Sequence, residues 1–389
     1  MTEKLFDRDS YITEFICKVT DLYSEGDTLY IETDRTAFFP EGGGQTSDIG
    51  KLGIANVENV QNIGGKIYHF VENSEENVEF FTIGKEITGE ICWEKRFSDM
   101  QQHSGEHIFS GIVHSLFGYD NVGFHLGTEV VTLDFNGILT KEDICKVELL
   151  VNKAVWDNLE VKVFFPADEE LALIPYRSKK EIDGQVRLVE FPGVDICACC
   201  APHVKRTGEI GIVEVVNFEK YKGGTRVSIL CGERALSDIR HKLDENHAVS
   251  VMMSAKEKET AQAVERIKKE KESLDYEIVG LKREILSLKL ASVKEDKRIV
   301  IFDSSLEGKM LQDFALSVME RAEDFVCCFC GEKGQYRYCM VSDKLDPIPY
   351  AKAMNEKFSG RGGGRNGIVQ GTVSGDEEEI REFLTSPSA

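Results

Sequence analysis

Residues Ser98–Gly118 read SDMQQHSGEHIFSGIVHSLFG, with His103 and His107 four positions apart. On a helix, residues i and i+4 share a face. Met100, Ile108, Ile112 and Leu116 recur at near-helical spacing, with Phe109, Val113 and Phe117 beside them. Ser98 is a candidate N-cap, Gln101 its capping-box partner three residues on, and Gly118 a stop. The pattern predicts a half-buried helix carrying both histidines. Far downstream, Cys199 and His203 in CCAPH repeat the spacing. Three imidazoles and one thiolate form a tetrahedral set of the kind zinc accepts. Alone, HxxxH reads as one exposed and one packed histidine. The complementary second pair turns the reading to one Zn2+ bound by His103, His107, Cys199 and His203, with Cys197 and Cys200 as rival thiolates.

The 389 residues leave room for two or three domains. With 41% hydrophobic and 30% charged residues, the composition is that of a globular protein. No apolar run reaches membrane-spanning length, so no membrane partner is expected. MTEKLFDRDSYITEF lacks the apolar core of a signal peptide. With that start, 11 cysteines point to a reducing, cytoplasmic setting and to thiol ligands rather than disulfides. A net charge of −21 opposes a generally basic nucleic-acid surface. Local basic groups remain: Lys205, Arg206, Lys220, Lys222 and Arg226 after CCAPH, and Lys357, Arg361 and Arg365 near the C-terminus.

The expected class is α+β, multidomain. Residues 1–90 read as a small glycine-rich β-barrel or meander, with strands Leu29–Thr33 and Ile67–Val71. Residues 91–235 read as an α/β metal-binding domain, with a second helix from Thr140 and strands at Val161–Phe165, Val186–Phe191, Ile210–Val216 and Arg226–Leu230. Residues 236–296 read as a helical coiled-coil segment. There Val264, Lys271, Ile278 and Ile285 alternate with Ile267, Leu274, Leu281 and Leu288 in a heptad seam. Its partner is either the 238–259 segment folded back or a second chain, giving a homodimer. Residues 297–389 read as a small α/β domain. Its glycine-rich stretch, SGRGGGRNG, is read as a loop whose amides and arginines could cradle phosphate. It matches neither a Walker loop nor a dinucleotide fingerprint.

DRTAFFPEGGGQTSDIG (Asp34–Gly50) resembles the glycine-rich signature of the alanyl-tRNA synthetase editing domain and its free-standing AlaX-type relatives. QHSGEH and CCAPHV resemble that family's two zinc motifs, in the same order. LVEFPGVDICACCAPHVKRTGEIG and GFHLG (Gly123–Gly127) also resemble family segments. GRGGGRNGIVQGTV is similar to the DHH-associated domain that ends alanyl-tRNA synthetases. The resemblance spans nearly the whole chain and departs from the family in places. Cys200-Ala201-Pro202 stands where the family usually has two glycines and a threonine. The amino-acid-activating domain has no place in this length, and the Asp-His-His phosphoesterase motif is missing.

The resemblance implies a Zn2+-containing hydrolase that deacylates mischarged tRNA(Ala), with serine as the removed residue and glycine as a second, and no ATP requirement. Thr36 aligns with the family threonine that reads the serine hydroxyl; without the resemblance it is a strand-edge turn residue. Gln45, Gln102, Ser104 and Glu106 are the polar candidates around the metal. Glu106 is either a base, a support for the ligands, or a solvated residue. The zinc either organises the pocket or activates water. Lys205, Arg206, Arg361 and Arg365 are the candidate tRNA contacts, the last two on a domain held away from the zinc domain. The competing readings are a deacylase for another aminoacyl ester and a non-catalytic zinc and coiled-coil assembly protein.

Overall fold

The computed structural model describes residues 2–178 and 184–386. The chain forms two compact units, one ending at Val249 and one beginning at Ser250.

The first unit opens with a seven-stranded sheet. Its order is Ala55–Val57, Gly50–Leu52, Glu86–Ile91, Glu14–Glu25, Thr28–Thr33, Lys66–Glu72, Asn59–Ile63. The two outer strands are sequence neighbours separated by Glu58 alone, so the sheet must curl back on itself into a nearly closed barrel. The long strand Glu14–Glu25 makes this turn. Its first half pairs with Glu86–Ile91 and its second with Thr28–Thr33, with a register shift between Val19 and Asp21. Phe15, Cys17 and Val19 alternate inward while Ile16 and Lys18 face out. Phe38, Phe39, Ile31 and Val60 fill the interior.

The rest of the first unit packs two long helices on a four-stranded antiparallel sheet ordered Asn121–Leu126, Val131–Phe135, Gly224–Cys231, Val213–Tyr221. Helix Lys141–Trp156 starts where its sequence directs. Thr140 and Asp143 form a capping box, and Ile144, Val147, Val151 and Val155 are all buried. The histidine helix, Trp93–Phe117, ends at Gly118 in the left-handed region as expected. Two features differ from expectation. The helix begins five residues before Ser98, which therefore caps nothing. It is also buried all round from Asp99 to Gly111 rather than on one face, because it runs between the barrel and the α/β core. Arg96 explains the early start. Fully buried, it donates to Asp48, to the Ala37 carbonyl and to the Ser10 carbonyl, binding the first turn to the barrel.

A three-stranded antiparallel sheet, Lys162–Phe164, Leu188–Phe191 and Asp195–Ala198, leads into CCAPH. The strand expected at Ile210–Val216 begins at Val213 and runs to Tyr221; a 3-10 turn, Thr207–Ile210, precedes it.

The second unit carries helix Thr260–Ser292 and a five-stranded sheet ordered Asp296–Phe302, Ala322–Glu332, Gln335–Val341, Ile368–Ser374, Arg361–Arg365. The first pair is parallel and spans the crossover helix Lys309–Val318; the other pairs are antiparallel. Helices Ile348–Lys357 and Glu377–Thr385 cover one face, and Lys309–Val318 covers the other with Leu286 and Leu290 of the long helix. The heptad seam faces solvent: Val264 is 45% exposed and Leu288 68%. Gly360–Gly367 is not the expected loop. Arg361–Arg365 is an edge strand, and Asn366–Gly367, both at positive φ, is the two-residue turn of a hairpin whose register pairs Arg365 with Ile368. Among the described residues no helix is long and apolar enough to cross a membrane.

Candidate metal centre

Cys199 packs against both cores of the first unit, so the CCAPH segment lies in the crease between barrel and α/β layers. The segment is held there from several sides. Arg187 donates to the carbonyls of Cys199 and Ala201, Ser10 donates to the His203 carbonyl, and Ala201 is buried in the barrel core. The Ala-Pro insertion is therefore a packing element.

The structure brings His103, His107, Cys199 and His203 together, with one potential ligand atom from each and all four within 4.8 Å of one another. Cys199 Sγ lies 3.6 Å from His103 Nε2 and 3.4 Å from His203 Nε2. Nitrogen and sulfur on one tetrahedral zinc, at ~2.1 and ~2.3 Å, stand about 3.6 Å apart. Each imidazole has a different partner on its other nitrogen. His103 Nδ1 is 2.7 Å from Gln45 Oε1, His107 Nδ1 is 3.2 Å from Asp195 Oδ2, and His203 Nδ1 is 3.0 Å from Ser104 Oγ. With all three Nδ1 atoms engaged, the three Nε2 edges are left for the centre, the usual arrangement of metal-bound histidine. Burial opposes a thiolate at Cys199, but the His103 and His203 imidazoles outweigh it and hold the thiol well below its ordinary range. Burial pushes His203 down to about 3, against the pull of Cys199. A set of three imidazoles and an acidified thiol fits Zn2+ by its donor chemistry.

Two comparisons bear on what this centre belongs to. Residues 186–228 match the family model described as the threonyl and alanyl tRNA synthetase second additional domain. The alanyl-tRNA editing protein AlaX-L of Pyrococcus horikoshii is 29% identical over 98% of this chain and 96% of its own length. The chain is similar over nearly its whole length to an AlaX-type alanyl-tRNA editing protein. Alanine–tRNA ligases of Pyrobaculum calidifontis and Pyrococcus furiosus are each 28% identical over 98% of this chain, which spans only 44% and 43% of those longer proteins.

The other candidate residues divide. Gln45 and Ser104 touch the ligand set through His103 and His203. Gln45 is placed by GGGQ itself. Gly43 and Gly44, at φ +63° and +86°, form a tight turn closed by reciprocal bonds between Gly42 and Gln45. A Cβ on Gly44 would strike the Phe124 ring at 2.6 Å. Gln102 does not face the centre. It is fully buried, and its amide makes reciprocal 2.8 Å bonds to the Cys231 backbone. Glu106 is neither solvated nor remote. Its Oε1 accepts from Ser110 and Asn121 at 2.7 Å, and Oε2 lies 3.9 Å from His107 Nε2. Thr36 is fully buried, 2.8 Å from His69 Nε2, and accepts from the Phe38 amide. His69 Nδ1 faces the Ile31 carbonyl, which can only accept. The proton is therefore on Nδ1, and Thr36 must donate its own to Nε2. What Thr36 can still offer a ligand is a lone pair.

The residues that the sequence did not disclose are Asp195 and Arg177. Arg177 grips the Asp195 carboxylate with two bonds of 2.7 and 2.8 Å. Asp195, Cys197 and His107 also cluster, but a guanidinium on that carboxylate makes the group a hydrogen-bonded network rather than a second cation site. The available signal was strand alternation, which sends Asp195 and Cys197 of DICA to one face. Cys200 is exposed and outside the cluster.

Of the candidate tRNA contacts, Lys205 is paired with Asp9 at 3.0 Å and lies over the Tyr11 ring. Arg206 donates to the Asn158 carbonyl. Arg361 and Arg365 are exposed on the edge strand.

Proposed function

We propose that this chain is a trans-acting aminoacyl-tRNA deacylase: it hydrolyses the ester of tRNA(Ala) mischarged with serine, and secondarily glycine, at a Zn2+ centre held by His103, His107, Cys199 and His203. The observation that carries the reading is the convergence of three Nδ1-anchored imidazoles on Cys199 in a crease also bordered by Gln45. Similarity over nearly the whole chain to a relative named an alanyl-tRNA editing protein supports the substrate class.

With four protein ligands, the bound metal would act mainly by organising the crease, as closed sets do. Asp195, Gln45 and Ser104 hold the imidazoles in place. Phe124, 4.8 Å from the His103 ring, helps exclude water. Glu106, held by Ser110 and Asn121, is the carboxylate nearest His107 and the candidate acceptor for a proton lost by attacking water. Thr36 would receive the serine hydroxyl as a donor, the arrangement that lets a site refuse alanine. Lys205, Arg206, Arg361 and Arg365 would meet tRNA phosphates.

Deacylation of a panel of charged tRNAs tests this. Seryl-tRNA(Ala) should be hydrolysed much faster than alanyl-tRNA(Ala), and Thr36→Val should reduce that preference. Hydrolysis of another aminoacyl ester alone would move the substrate. No hydrolysis of any member, with zinc bound, would favour the second reading, a zinc and coiled-coil assembly protein. That reading has the exposed heptad seam in its favour.

A further inference from the structure

Gln45 is 1% exposed, and only one end of its amide is satisfied. Oε1 lies 2.7 Å from His103 Nδ1. An imidazole that turns Nε2 to the ligand set carries its proton on Nδ1, and of the two amide atoms only Oε1 can receive it. The amide is thereby locked in one orientation. Its Nε2 is buried, and no acceptor among the described residues lies within reach. Leaving such a donor unpaired costs about 1–3 kcal/mol, so its place beside the ligands calls for an acceptor supplied from outside. A Cβ on Gly43 would meet only Cys200 Sγ, at 3.9 Å, and Cys200 is exposed.

We propose that Gln45 Nε2 donates to the carbonyl oxygen of the aminoacyl ester and holds the negative charge that forms there. The proposal rests on the deacylase reading. An amide N–H can only donate, which excludes the substrate's α-ammonium as its partner. Hydroxyl groups could accept, but their charge does not change in the reaction. The carbonyl oxygen becomes an oxyanion, so a donor fixed in advance binds the transition state better than the substrate. Water oxygen adds to the carbonyl carbon, and the C=O π pair moves onto the oxygen facing Gln45. The pair then returns as the bond to the ribose oxygen breaks. The ribose oxygen takes one proton of the water and the other goes to solvent. A ribose hydroxyl and an amino-acid carboxylate leave.

Two variants separate this role from support of His103. Gln45→Glu keeps an oxygen for His103 Nδ1–H and removes the donor; Gln45→Met removes both. Zinc content, single-turnover hydrolysis of seryl- and alanyl-tRNA(Ala), and inhibition by a tetrahedral phosphonate analogue of the seryl ester are measured on the full-length chain. Both variants should keep zinc, lose kcat on the order of 100-fold by the same factor for both aminoacyl groups, and bind the phosphonate less tightly. Unchanged rates with zinc retained would overturn the proposal. A loss confined to the seryl substrate would assign Gln45 to the serine hydroxyl instead, and loss of zinc from both variants would reduce it to a support of His103. Wild-type protein inactive on every charged tRNA would sink the deacylase reading, whereas active wild type with indifferent variants sinks this proposal alone.

Discussion

His107 and Asp195 meet across the crease, Nδ1 to Oδ2, at 3.2 Å. Gly111, one helical turn after His107, makes the approach possible: a Cβ there would stand 2.7 Å from the Asp195 Cβ. Arg177 holds the carboxylate from behind. Burial opposes a charge on Asp195, but His107 and Arg177 outweigh it and keep the carboxyl below its usual range. A partner of this kind fixes which imidazole nitrogen faces the metal. Asp195→Ala should therefore weaken zinc binding about 10–100-fold, read by competition with a chromophoric chelator, and Arg177→Gln should weaken it less. Wild-type affinity in Asp195→Ala would mean that packing alone orients His107.

The Thr36–His69 pair makes stability depend on pH. Burial pushes His69 down from 6.5 to about 4. Between those values the unfolded chain binds a proton at this residue and the folded chain does not. Stability should therefore be full above pH 6.5 and decline as pH falls toward 4. Each pH unit across that window is worth about 1.4 kcal/mol, so the whole contribution is a few kcal/mol. Urea midpoints measured from pH 7.5 to 4 should fall more steeply for wild type than for His69→Gln. Parallel curves would mean that His69 titrates normally.

Arg96 and Asp48 are a buried pair joined at 2.9 Å through Nε and Oδ1. Removing one partner strands the other in an apolar setting. Arg96→Ala should cost about 3–5 kcal/mol, seen as a lower denaturation midpoint, and Arg96→Met with Asp48→Leu should recover part of it. A loss below about 1 kcal/mol in Arg96→Ala would show that water reaches Asp48.

These pairs mark what the sequence could and could not say. Local signals were legible: Thr140 marked a helix start, Gly118 a stop, and the two four-residue spacings pointed to four residues that the fold brings together. Relationships between distant segments were not. Arg96 lies before the helix start that Ser98 suggested, because the partners that draw it into the helix, Asp48 and Ala37, lie in the barrel. Gln102 looked like a site residue because its helix neighbours are ligands, yet its amide serves the Cys231 backbone. The sequence left Glu106 open between base, ligand support and solvated residue, whereas Ser110 and Asn121 decide its position. The Asn366–Gly367 turn was present in the sequence, but the glycine count around it read as a loop.

On the edge strand, Arg361 and Arg365 fall on one side by alternation. If they meet tRNA phosphates, replacing both with alanine should weaken tRNA binding and flatten the log–log salt slope by about two contacts' worth, while sparing hydrolysis at saturating substrate. Equal affinity and an equal slope would remove the tRNA role and leave self-association through the heptad seam as the better use of this unit.

The most direct test of the centre is zinc stoichiometry measured beside seryl-tRNA(Ala) hydrolysis in the same preparations. Wild type, Cys197→Ala and Cys200→Ala should hold one zinc and hydrolyse the ester, while His103→Ala and Cys199→Ala should lose both. Full zinc retention in His103→Ala and Cys199→Ala would contradict the account, and retention in Cys199→Ala alone would move the thiolate to Cys197 or Cys200.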